Sequence, residues 1–162
     1  MNTRLPALGK RGEGWVVVQL VLIAAVLLAA LVGRGWSRSY APAAYAVGGV
    51  LLALGLLLLV AAGLALGRSL TPLPAPRTDP TLSLVTTGPY ALARHPMYGA
   101  GILFALGWTI VFASVLGLVL TVALAVVLDL KARREELWLA VRYAGYETYR
   151  ERARRRLLPF VY

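Results

Sequence analysis

Residues 99–130 form a run of thirty-two positions with a single charged side chain, Asp129. As one helix it would be about 48 Å long, well beyond the ~30 Å hydrocarbon core of a bilayer. The run therefore predicts a hairpin of two short helices turning near Ser114 and Gly117, the second continuing past Asp129 into the charged tail. Two further apolar runs precede it. Residues 15–32 are interrupted only by Gln19, and residues 41–66 are long enough to cross with tilt, with Tyr40 and Tyr45 as headgroup anchors at one end. The first run follows Lys10 and Arg11 as a signal peptide would, but it is long for one and more spans follow, so it reads as a retained helix.

Composition agrees. The chain of 162 residues is 59% hydrophobic and only 15% charged, with a mean hydropathy of +0.72, which excludes both a disordered chain and an ordinary water-soluble core. With no cysteine and one histidine, disulfides and thiolate chemistry are excluded and a transition-metal centre is not expected.

The net charge of +10 has to be sorted by side before it can be interpreted. With four hydrophobic segments, the N-terminus, the loop at 67–98 and the tail from Lys131 share one side and carry 3, 3 and 9 basic residues, leaving only Arg34 and Arg38 opposite. Three segments would divide them 6 against 11, so the positive-inside rule favours four and puts the large polar segments in the cytoplasm. The expected fold is an all-α integral membrane protein forming one membrane domain. It has two N-terminal spans within 1–66, a cytoplasmic loop at 67–98, a helical hairpin at 99–130 and a cytoplasmic amphipathic helical tail at 131–162. No groove-reading motif accompanies the charge, so no nucleic-acid partner is expected, and no obligate protein partner is evident. The spacing Gly63-x-x-x-Gly67 offers a place for close helix approach, although glycine is common in membrane helices generally.

The unusual residues collect in two polar segments. The first holds four prolines between Thr71 and Pro80, favouring an extended path, and then Leu82 to Val85 and Thr87-Gly-Pro-Tyr-Ala-Leu-Ala-Arg-His-Pro-Met-Tyr98. Gly88-Pro89 signals a turn, and Pro96 holds His95 extended and suits a helix start. Arg94, His95 and Tyr98 then surround a helix N-terminus able to bind a carboxylate or phosphate. They serve equally well as interfacial anchors and a helix-start residue. The second segment carries Glu135-Glu136 behind a basic cluster, then Tyr143, Tyr146 and Tyr149 at intervals of three. By themselves these read as a solvated face and as an aromatic stripe, on one helix or on a helix broken at Gly145, lying at the membrane surface.

In order and spacing, Gly88-Pro-Tyr, Arg94-His-Pro-x-Tyr98, the apolar hairpin, Glu135-Glu136, Tyr143-x-x-Tyr-x-x-Tyr149 and Arg156-Leu-Leu-Pro159 resemble the isoprenylcysteine carboxyl methyltransferases and their relatives, the membrane phospholipid methyltransferases. The resemblance covers residues 70–160. It implies a membrane enzyme using S-adenosylmethionine, with His95 and Tyr98 in the cofactor site, Arg94 assisting, and Glu135 and Glu136 contributing from the other side. Arg152 and Arg156 would lie towards a lipophilic acceptor. One departure is Ala100, where the family usually has glycine.

The residue chemistry is compatible with that cofactor, which presents a carboxylate, an ammonium, hydroxyls and a sulfonium. Helix N-H groups near Arg94 and His95 suit the carboxylate, Glu135 or Glu136 can accept from the ammonium or hydroxyls, and Tyr98 or Tyr143 can face the sulfonium. The sequence has no Gly-x-Gly-x-x-Gly, so a Rossmann site is not in play. The expected reaction is direct in-line methyl transfer to a lipophilic acceptor, isoprenylcysteine carboxyl methyltransferase-like, with a phospholipid amine, a small hydrophobic thiol or a quinone-like compound as the alternative. The rival from another class is a non-catalytic protein whose basic, aromatic tail binds anionic lipid. Only 2 of the 17 basic residues are lysine, which with the Ala and Leu excess points to a G+C-rich prokaryotic genome and so to a prokaryotic cell membrane.

Overall fold

The computed structural model describes residues 6, 8–71, 73, 75, 79 and 83–158. Among these there are no strands. The long helices are α1 (Glu13–Leu31), α2 (Ala41–Leu66), α4 (Pro96–Val111) and α5 (Val115–Arg142). Two short ones, α3 (Pro89–Leu92) and α6 (Tyr146–Arg152), flank the site described below. Most of the proline-rich stretch, Leu82 and the closing Pro159 lie outside the described residues.

Three helices have the length and apolarity to cross a bilayer, namely α1, α2 with the short turn that extends it to Ser69, and α5; α4 is apolar but has only 16 residues, about 24 Å. Their apolar side chains point outward as well as inward. Val21, Leu28, Leu57, Leu64, Val119 and Val122 are all more than half exposed, which water would penalise and lipid tails accept. The chain is an integral membrane protein.

The hairpin predicted from residues 99–130 is present as α4 and α5, but its second arm is not short: α5 runs for 28 residues into the charged tail. The turn occupies Phe112 to Ser114, where Ala113 takes a positive φ of 50°. Ser114 accepts from Gly117 N at 3.0 Å and donates to Ala29 O at 2.7 Å, so it caps α5 and ties the turn to α1. Gly117 is therefore part of the first turn of α5 rather than of the bend.

Packing pairs α2 with α4 and α1 with α5. The α2–α4 contact depends on glycine at a close backbone approach. A Cβ at Gly55 would sit 2.8 Å from Phe104 N and 2.9 Å from Ala100 O, whereas Gly63 has open space around it. The close approach is thus made by Gly55, with Gly48 and Gly107 one end further along, and not by the Gly63-x-x-x-Gly67 spacing. Between α1 and α5, the buried Lys131 donates to Gln19 Oε1 at 2.6 Å. The one polar residue of the first span is accordingly the partner of a buried cation, where an unpaired charge would be costly.

Candidate active site

Pro96 lacks an N-H and opens α4, and the residue before it is held out of the helical region, with His95 at φ −127°. The extended pair Arg94-His95 lies against the C-terminal segment: Arg94 N donates to Arg155 O at 2.9 Å and His95 N to Arg156 O at 2.7 Å. Gly99 permits this, because a Cβ there would collide with the Leu157 carbonyl. Three of the N-H groups around this helix start are therefore not open to a ligand carboxylate. Those of Arg94 and His95 are taken by the chain's own carbonyls, and that of Tyr98 by His95 O at 3.1 Å.

Side chains from the two ends of the hairpin meet at the C-terminal part of α5. Glu136 is 8% exposed, and its Oε1 accepts from Arg94 Nε at 2.9 Å and from Arg156 Nε at 3.1 Å. Arg94 also donates through Nη1 to the carbonyls of Ala153 (2.8 Å) and Arg154 (2.9 Å), fixing the segment after α6. Arg156 reaches Asp129 Oδ1 at 2.9 Å, and Asp129 pairs with Arg133 at 2.7 Å. Burial disfavours the Arg156 charge, but Glu136 and Asp129 outweigh it and hold its pKa above the usual value. Alternating charges thus run Arg94, Glu136, Arg156, Asp129, Arg133.

Glu135 occupies the next position on α5 and accepts from Tyr98 OH at 2.8 Å. His95 lies between the two glutamates, its Nδ1 3.6 Å from Glu135 and its Nε2 3.5 Å from Glu136. Both distances are too long for good hydrogen bonds. Its ring stacks parallel to Tyr98 at 5.4 Å, and Lys131 Nζ lies 4.9 Å over the other ring.

The tyrosines of the tail are not a membrane-surface stripe. The helix breaks after Arg142 and resumes as the seven-residue α6, and Tyr146 (1% exposed) and Tyr149 (7%) pack with Ala153, Leu84, Leu139 and Tyr143. The face of α6 that the spacing makes aromatic is covered by protein. Tyr149 OH donates to Tyr90 O at 2.8 Å, joining α6 to the Gly88-Pro-Tyr turn. Burial pushes the Tyr90, Tyr146 and Tyr149 phenols up, Tyr149 to about 12, so these three stay protonated near neutral pH. Tyr146 OH and His95 Nε2 are buried with no hydrogen-bond partner among the described residues, and the Tyr146 phenol feels the charges of both Glu136 and Arg94. Uncompensated polar atoms at such depth are rare and are candidates to bond a ligand.

Of the seven residues anticipated from the sequence, Arg94, His95, Tyr98, Glu135, Glu136 and Arg156 converge. Arg152 does not; it ends α6 exposed to solvent. Asp129 and Tyr146 belong to the same cluster and were not anticipated. The signal for Asp129 was its place as the one acid in an apolar run, while Tyr146 is indistinguishable by spacing from its neighbours.

A family model described as phospholipid methyltransferase matches residues 43–145, which include the Arg94-to-Tyr98 turn and the glutamate pair. The chain is also 36% identical over 112 residues to a phosphatidylethanolamine N-methyltransferase of Homo sapiens. That alignment covers 69% of this chain and 53% of the relative, so the chain spans about half the length of the curated relative it matches. A helical membrane chain matched over more than half its length by that model, with the motif residues gathered at one site, belongs to the phospholipid methyltransferase family.

Proposed function

We propose that the protein is an S-adenosylmethionine-dependent phospholipid N-methyltransferase acting on an amine headgroup at the membrane surface. Both similarities favour the phospholipid acceptor over the isoprenylcysteine carboxylate that the motifs alone brought to the fore. The observation that carries the reading is the convergence of His95, Tyr98, Glu135 and Glu136, from both arms of the hairpin, within the matched region.

The cluster fits the cofactor on its own chemistry. His95 Nε2 and Tyr146 OH are buried polar atoms without hydrogen-bond partners among the described residues, and Glu135 is a carboxylate with 23% of its side chain open. Together they supply the mixture of donors and anionic acceptors that a zwitterionic amino-acid moiety and a ribose require. His95, Tyr98, Tyr146, Glu135 and Glu136 would hold S-adenosylmethionine, which supplies an electrophilic methyl group on a sulfonium. Arg94 and Arg156 hydrogen-bond Glu136 and fix its carboxylate in place. A headgroup ammonium must lose a proton before its nitrogen can attack, and the Glu135–Tyr98–His95 group is the candidate acceptor of that proton. Proximity and exclusion of water complete the catalysis.

The orientation with the tail and the loop at 67–98 in the cytoplasm is part of the same proposal. Calorimetric titration of the detergent-purified protein with S-adenosylmethionine tests the cofactor assignment. Saturable binding that His95→Ala and Glu136→Ala weaken is expected, and no binding, or binding indifferent to both variants, refutes it.

A further inference from the structure

Beside Arg94 lies a cavity of about 280 Å³ whose lining residues are Arg94, Arg154, Arg155 and Arg156. A concavity walled by four like charges is repulsive until an anion enters it. Among the described residues, two carboxylates, Glu136 and Asp129, meet this wall of four guanidinium groups. Glu136 pairs with both Arg94 and Arg156, while Asp129 pairs with Arg156 and is shared with Arg133. Arg154 and Arg155 add two exposed cations at the rim. The wall is also held in place, since the carbonyls of residues 153 to 156 accept from the Arg94 side chain and from the Arg94 and His95 backbone.

We propose that this cavity receives the phosphodiester of the phospholipid acceptor. This assignment rests on the phospholipid N-methyltransferase reading and extends it to the group that positions the substrate. Guanidinium pairs with phosphate oxygens through paired, charge-assisted hydrogen bonds, which a neutral thiol or quinone acceptor would leave unused. The depth is also suitable. Arg156 reaches Asp129, where α5 changes from apolar to charged, and such a change is expected where a helix leaves the hydrocarbon core for the headgroups. Finally, the cavity shares Arg94 and Arg156 with Glu136, so a phosphate held there leaves a headgroup amine, on its short ethylene tether, on the side of the two glutamates.

The test uses the full chain in nanodiscs containing phosphatidylethanolamine, with the rim pair Arg154→Gln and Arg155→Gln, which leaves Arg94, Arg156 and their acids untouched. Lipid retained through purification is counted by native mass spectrometry, acceptor KM and kcat are separated, and cofactor affinity is titrated. Retention is expected to fall and KM to rise about tenfold or more, with kcat and cofactor affinity nearly unchanged, and the corresponding lysine pair should recover part of the loss. Unchanged retention and KM overturn the assignment. So does an equal loss of cofactor affinity, which would make the cavity the seat of the cofactor carboxylate. Inorganic phosphate binding that the variant abolishes without any change in lipid retention also overturns it, as a site for free phosphate. Arginine-dependent retention without methyl transfer to the lipid supports the cavity and refutes only the catalytic reading.

Discussion

Tyr146 and Tyr149 differ in one respect that makes a sharp experiment. Both phenols are buried on α6, but Tyr149 OH donates to Tyr90 O at 2.8 Å and Tyr146 OH has no partner among the described residues. Tyr149→Phe removes a buried hydrogen bond and strands the Tyr90 carbonyl, a loss of about 1 to 3 kcal/mol. Tyr146→Phe removes a hydroxyl that contributes no such bond, so folding stability should be unchanged or slightly improved. If that hydroxyl waits for the cofactor, its loss instead weakens S-adenosylmethionine binding by about 1 kcal/mol, a factor of about five. Denaturant unfolding in mild detergent and calorimetric titration read the two quantities separately. A Tyr146→Phe variant that is destabilised as much as Tyr149→Phe, or that is stable and binds the cofactor with unchanged affinity, would rule this role out.

Three other perturbations have expected outcomes. Gly55→Ala forces a Cβ against the α4 backbone and should cost about 1 to 3 kcal/mol by thermal unfolding, while Gly63→Ala, in open space, should be neutral or stabilising. Glu136→Gln leaves Arg94, with 7% of its side chain exposed, without its counter-charge and should cost about 3 to 5 kcal/mol; Glu147→Gln, in an exposed pair with Arg150, should leave denaturant unfolding unchanged. Because the chain has no cysteine, single cysteines at Ser37 and Glu151 can be labelled in sealed vesicles with an impermeant maleimide, and four crossings predict labelling from opposite sides.

The apolar runs made the helices legible because lipid imposes length and composition so strongly; the second run coincides with α2 to the residue. The hairpin was legible for the same reason, as was Pro96 at the start of α4. What sequence could not convey was which polar groups face each other. The N-H groups of Arg94 and His95 are occupied because residues 155 and 156 return across the start of α4, a pairing between distant segments with no local signature. Of the tyrosines spaced by three, Tyr146 and Tyr149 share a face of α6 while Tyr143 lies in the break before it, and a face that fits the membrane surface fits a protein interior equally well, so tertiary contact decides. Gly55 and Gly63 are equivalent in composition and differ only in whether α4 lies opposite. Asp129 became meaningful once Arg156 was seen to reach it from twenty-seven residues away.

Phospholipid N-methylation is measured by reconstituting the protein in vesicles containing phosphatidylethanolamine, supplying S-adenosylmethionine labelled in its methyl group, and separating the lipids by chromatography. Label is expected in the headgroup as an N-methylated phosphatidylethanolamine, abolished or greatly reduced by His95→Ala and by Glu135→Gln. Label that never enters a phospholipid headgroup, or that enters equally well in both variants, would exclude a phospholipid N-methyltransferase working through these residues.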